Sequence, residues 1–202
     1  MFVRVSARSL IEQAREVFDR ESNGLAASAA GAWRGGFASG GQWMRLALEH
    51  LRGEPLSGPA FNLNVLGLTK YALACVAALI PVGLAAATGQ PLIAILALPV
   101  FYAAEVQFVF LFPLAIDGCP RPFRASRRWT WLAGGTLPAM TVVMQLAATM
   151  LFGGFVGRGF VRSWCLGCLA VCIWYEELRT SGGHSDQTEA AEVPRLERRL
   201  VG

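Results

Sequence analysis

The chain has 202 residues, of which 54% are hydrophobic and 16% charged, with a formal net charge of +4. Soluble domains carry about 25% charged residues and about 45–50% apolar ones, which sets aside a soluble enzyme, a secreted mini-protein, a disordered tail and a coiled coil. Five cysteines make no disulfide scaffold, and two histidines leave little for metal or acid–base chemistry.

Ser6–Glu21 reads as an amphipathic helix, with Leu10, Ile11, Ala14, Val17 and Phe18 on one face. Ser9 and Glu12 have the S-x-x-E spacing of a capping box. Gly24–Gly41 is rich in Gly, Ala and Ser, as a linker or a close-packed small-residue segment would be. Gln42–Arg52 is a second amphipathic helix, carrying Trp43, Leu46, Ala47 and Leu51 on one face and ended by Glu54–Pro59. Such helices either lie on the inner leaflet, apolar side down, or dock on a partner subunit. Residues 1–64 hold seven Arg against six acids with no basic stripe, so nucleic acid is not an expected partner. The first twenty residues include Arg4, Arg8, Arg15 and Arg20 and no apolar run, so internal segments are expected to drive insertion.

Charge then disappears. Residues 65–116 contain only Lys70 and Glu105, and residues 129–157 contain none. A spanning helix needs about 20 apolar residues, and the runs predict spans over about 65–88, 91–116 and 129–156. Gly89-Gln90-Pro91 joins the first two in a tight turn. A fourth segment, 160–178, is short: its apolar core is Ser163–Tyr175, and its interface anchors, Trp164 and Trp174-Tyr175, are about 15 Å apart along a helix. Arg121, Arg124, Arg127 and Arg128 form a basic loop suited to anionic lipid headgroups or an acidic partner. By the positive-inside rule they place this loop and the N-terminus in the cytoplasm, with Arg158 and Arg162 opposing. Four spans return the tail to the cytoplasm; three leave it outside.

A carboxylate at membrane depth costs at least a few kcal/mol and usually has a partner. With the turn between Gly89 and Gln90, Glu105 lies level with Ala74 and beside Cys75, and Lys70 lies about 6 Å from that level. A snorkelling Lys70 can make a buried ion pair with Glu105; Tyr102 and Thr141 are further candidate partners. His50 and His184 fall outside the spans, so no span offers imidazole to a haem or metal.

Cys165, Cys168 and Cys172 share one helix face, where small residues let helices approach closely. Cys165-Leu166-Gly167-Cys168 is also a C-x-x-C motif, with Arg158 and Arg162 just before it. In this motif and in helix number the chain resembles quinone-linked disulfide-forming membrane enzymes, including the vitamin K epoxide reductase type. That resemblance implies a quinone cofactor and Cys165 and Cys168 as the redox pair. The family's second cysteine pair, carried in an external loop, has no counterpart in the Gly89-Gln90-Pro91 turn. Three thiols without a histidine fall short of a zinc site, and no metal is expected. Glu176-Glu177 reads as a solvated pair.

The fold expected is an all-α integral membrane protein: three to four transmembrane helices preceded by an amphipathic-helical cytoplasmic region. Residues 1–64 form that region, 65–178 the transmembrane domain and 179–202 a polar tail. The function expected is a non-catalytic inner-membrane subunit that packs against other integral membrane proteins and helps a larger complex assemble, with no cofactor. Two other readings are the quinone-linked thiol oxidoreductase and a small proton- or cation-coupled transporter using Glu105.

Overall fold

The computed structural model describes residues 5–20, 24–32, 36–56, 61–155 and 159–200, with side chains described as far as Ser181. Glu21, Arg158, the expected end of the third span at Val156, Ser57-Gly58-Pro59 and the side chain of His184 lie outside that description. Every regular element among the described residues is helical.

Helix α1 (Ala7–Arg20) begins where Ser6 Oγ accepts the Ser9 amide at 3.1 Å. Ser6, rather than Ser9, is therefore the capping side chain, and Glu12 pairs with Arg8 instead. The apolar stripe Leu10, Ala14 and Phe18 is buried within the chain, with α1 packed along α9 (Phe160–Leu200). Gln13 bonds Glu177 near one end of this contact, and Asp19 pairs with Arg162 near the other. The Gly/Ala/Ser stretch holds helix α2 (Leu25–Ala32) and the first turns of α3 (Gly36–Arg52). Its small residues allow close approach: a Cβ on Gly40 would come within 2.9 Å of the Trp164 ring, and one on Gly67 would enter the Phe37 ring.

Among the described residues, three segments are long and apolar enough to cross a membrane: Leu63–Thr88, Pro91–Ile116 and Thr136–Gly153. The first is α4. Asn62 caps it by accepting from the Asn64 and Val65 amides, and Gly89 ends it at φ 67°, a left-handed conformation that glycine adopts freely. The second departs from a continuous helix. It opens as a 3-10 stretch (Pro91–Leu96), continues as α5 (Ala97–Val106), breaks over Gln107–Phe110 and resumes as α6 (Leu111–Ile116). Two side chains serve carbonyls around the break: Thr130 Oγ1 donates to the Val106 carbonyl at 3.0 Å, and Gln107 Nε2 to that of Ala103 at 3.4 Å.

The expected third span over 129–156 is corrected. Gly134 and Gly135, at φ 103° and 92°, end one helix (α7, Pro122–Leu132) and precede another (α8, Thr136–Gly153). Only α8 is a candidate span, since hydropathy alone does not register two adjacent left-handed glycines. The expected basic loop is likewise a helix. In α7, Pro122, Ser126 and Thr130 are buried on one side, while Arg124, Arg127 and Arg128, with Arg121 just before them, are exposed.

The fourth expected segment is not among the three candidates. As the first half of α9 it is a buried spine: Cys165, Leu169, Ala170 and Cys172 are fully covered. It runs antiparallel to α8, with Ser163 against Gly153 and Gly167 against Met150. Trp174 and Tyr175 are core residues, 1% and 2% exposed, rather than interface anchors. The backbone of the polar tail continues this helix to Leu200. One core unites Leu10, Trp43, Leu48, Phe110, Leu146 and Trp174, drawn from both ends of the chain.

Candidate functional site

The charges that the sequence isolates lie together. Lys70 Nζ, on α4, is 2.9 Å from Glu105 Oε1, on α5, with side-chain exposures of 8% and 13%. The ammonium also lies 5.2 Å from the centroid of the Tyr71 ring, within cation–π range. Neither ion is sealed into packed side chains. Both border a cavity of about 250 Å³ whose remaining wall is mainly aromatic, aliphatic and thioether.

Five helices and one side chain of a sixth build this cavity. Phe37, Gly40 and Met44 come from α3, Phe101 and Tyr102 from α5, and Phe112 from α6. Val143, Leu146, Ala147 and Met150 of α8 close one side, and Trp164, Gly167 and Cys168 of α9 close another. The Tyr102 side chain thus stands at the site, as its spacing one turn before Glu105 suggests. Thr141 does not: its hydroxyl donates to the Leu137 carbonyl on an exposed face. Cys75, level with Glu105 in the hairpin, is exposed.

The three α9 cysteines divide. Cys168 lines the cavity, whereas Cys165 and Cys172 are fully buried, the latter with its Sγ 4.0 Å from the Met44 carbonyl oxygen. All five thiols are free. Among the described residues no three His, Cys, Asp or Glu side chains are grouped so as to hold a metal ion.

A second ionic centre differs from what the sequence suggests, where Glu176 reads as solvated, Tyr175 as an interface anchor, and Arg52 and Asp117 carry no role. Arg52, at the end of α3, makes a bidentate pair with Asp117 at 2.7 and 2.9 Å. The same guanidinium donates to Glu176 Oε1 at 2.6 and 2.9 Å. Tyr175 Oη donates to Asp117 at 2.6 Å, and Arg179 donates to the other Glu176 oxygen at 2.9 Å. Burial works against the charge on Arg52, but its bonds to Asp117 and Glu176 prevail and hold its pKa above the ordinary arginine value. Glu176 is therefore a buried ion-pair member and not a solvated one, with a side chain 15% exposed. A signal existed: Arg52 falls at i+8 and i+4 from the buried Met44 and Leu48, and Glu176 at i+4 from Cys172, so each continues a buried stripe. Two cations and two carboxylates balance here, tying α3, the end of α6 and α9 into one structure. This is a fastening, whereas the Lys70–Glu105 cavity has room for a ligand.

No family model matches the sequence, and no curated protein and no solved structure matches it either.

Proposed function

We propose that the chain is a multi-pass protein of the cytoplasmic membrane that binds a small, largely apolar ligand beside Lys70 and Glu105, without catalysing a reaction. One observation carries this reading: an ion pair set between two candidate spans faces an aromatic-walled cavity instead of packed side chains. Ionisable groups at membrane depth are costly and are kept where they serve a site. Small-molecule sites are mostly apolar with a few placed polar groups, and this wall has that composition. The Arg-rich face of α7 supports a cytoplasmic location for that helix and the N-terminus. The test is native mass spectrometry of the protein purified in mild detergent. One bound small molecule per chain is expected, and Ala147→Phe, which fills the cavity from α8, should remove it. A wild-type protein free of any such mass after extraction under several mild conditions would sink the reading.

A second reading, a subunit that packs against and stabilises a larger membrane complex, is favoured by the hairpin of α4 and α5. Beyond Ala74 the buried residues of α4 are Pro81 and Ala85, and the 3-10 stretch buries none. Val76, Leu79, Ile80, Leu92 and Ile95 are all more than half exposed. Co-purification of a defined membrane partner whose binding is lost with Ile80→Trp supports that role; isolation as a lone monomer opposes it.

A further inference from the structure

Arg121, Arg124, Arg127 and Arg128 bring four positive charges to the exposed side of α7 and its approach. Among the described residues no carboxylate pairs with any of them, and the acids that flank them in sequence, Asp117 and Glu176, are both held by Arg52. One turn beyond Arg127 and Arg128 the same side carries Trp131 and Leu132, both exposed. That side therefore passes from cations to apolar groups along its length, as a helix crossing a membrane interface does.

Two of the four border a groove. Arg121 and Arg124 stand on one lip, where α7 begins, and Asn62, Val65 and Thr69 on the other, at the start of α4. The floor, formed by Phe61, Leu66 and Phe123, is apolar and held in place. Leu66 packs with Leu111 and Ala115, and the Phe123 ring meets Phe108 edge-on with centroids 5.3 Å apart. From the groove an apolar track leads along α4, where Val65, Leu68, Val76 and Leu79 are all more than half exposed. An acidic peptide would satisfy the cations and leave this track bare. A zwitterionic lipid would cover the track, but its own ammonium offsets the attraction of its phosphate. An anionic phospholipid answers both, with its phosphate on guanidinium groups, whose fork matches phosphate oxygens, and its chains along α4. Basic pockets beside spanning helices on the cytoplasmic side are a recurring form of lipid headgroup site. A topology signal alone needs cations in the connection but no groove beside them.

We infer that the groove between α4 and α7 binds an anionic phospholipid, its phosphate on Arg121 and Arg124 and an acyl chain along Val65, Leu68 and Val76. This inference rests on the cytoplasmic-membrane location proposed above and is independent of any ligand beside Lys70 and Glu105.

The experiment is native mass spectrometry of the full chain in mild detergent, titrated with phosphatidylglycerol, with phosphatidylcholine of the same acyl chains, or with sn-glycerol 3-phosphate. Each cation near a membrane surface favours anionic lipid roughly fivefold. One phosphatidylglycerol per chain is therefore expected to bind at least tenfold tighter than phosphatidylcholine, and glycerol phosphate should not saturate. Arg121→Gln/Arg124→Gln should remove the preference. Arg127→Gln/Arg128→Gln takes the same charge from the same helix outside the groove, and should change it less than about threefold. Val65→Trp, which fills the groove from an exposed position and keeps all four arginines, should weaken phosphatidylglycerol at least fivefold. It keeps the test decisive if an arginine variant fails to insert. Ala147→Phe, at the Lys70–Glu105 cavity, should leave phosphatidylglycerol binding unchanged. Equal losses in the two double variants would mean a diffuse attraction and overturn the site, as would equal binding of the two lipids or a silent Val65→Trp. Glycerol phosphate binding as tightly as the lipid would overturn it in favour of a soluble anion. A chain that shows no lipid preference yet still needs detergent to stay in solution would lose this site and keep its membrane location.

Discussion

Arg52 shows how much one buried charge can decide. Its side chain is 7% exposed and meets two carboxylates from distant parts of the chain. Removing one partner of a buried ionic cluster costs about 3–5 kcal/mol, because the remaining charges stay buried without compensation. Arg52→Met is expected to destabilise by that amount, read as a lowered unfolding midpoint in detergent. Arg52→Lys should recover only part of the loss, since an ammonium cannot reproduce the bidentate fork. The pKa of Arg52 is raised in the folded chain, so its contribution is complete below the ordinary arginine pKa and is lost only as pH rises through the folded value. The gap between wild type and Arg52→Met should therefore be the same at pH 7 and pH 10; a gap that closes by pH 10 would contradict the assignment. Lys70 and Glu105 stood out in the sequence because charge is absent around them. Arg52 and Glu176 lie among other charges, and only their position on a buried stripe sets them apart.

Among elements, the break in the second candidate span separates residues of one type by their surroundings. Thr130, 1% exposed, donates its hydroxyl to the Val106 carbonyl as α5 ends. Thr130→Val keeps the shape and removes one of two donors to the Val106 carbonyl, which keeps the Val109 amide at 3.2 Å, a loss of about 0.5–1.5 kcal/mol. Thr141→Val, on an exposed face of α8, should be close to neutral. Equal unfolding midpoints for the two variants would mean that the Thr130 bond has no role in holding the break. At the crossing of α3 and α4, Gly67→Val places its side chain where the Phe37 ring lies. It should lower folded yield, and Gly67→Val/Phe37→Ala should restore part of it. The hairpin was legible because the charge-free runs and the Gly89-Gln90-Pro91 turn between them mark it out; the Asn62 cap emerges only in the structure. The break was not, because an apolar run reads alike whether its backbone is one helix or several pieces, and the Thr130 hydroxyl that serves it comes from 24 positions away.

For the whole molecule, the main departure from the sequence reading concerns the N-terminal helices. Periodicity located their apolar faces but not their partner. Leu10, Ala14 and Phe18 are covered within the chain, so α1 belongs to the same core as α9. Burying a leucine fully makes Leu10→Ala cost about 2–5 kcal/mol, read as global destabilisation. A helix lying apolar side down on a leaflet would instead lose membrane attachment of residues 1–20 with the unfolding midpoint unchanged. The cavity could not be foreseen for a related reason. Its wall draws on α3, α4, α5, α6, α8 and α9 together, and Phe37 reaches it from a stretch whose composition suits a linker equally well.

Because the two ions of the hairpin are about 35 residues apart in sequence, they are not made together. At about 5–20 residues per second, Lys70 leaves the ribosome roughly 2–7 s before Glu105. For those seconds a first helix that crosses the membrane as proposed would carry an unmatched cation, costing up to about 2.5–3.5 kcal/mol, the value for mid-membrane. Under the membrane topology proposed above, biogenesis then has an ordering problem: either the first candidate span waits at the translocon, or it enters at a shallower depth. Nascent chains arrested just before and just after Glu105 clears the ribosomal tunnel should differ sharply in resistance to alkaline extraction, and Lys70→Met should erase that difference.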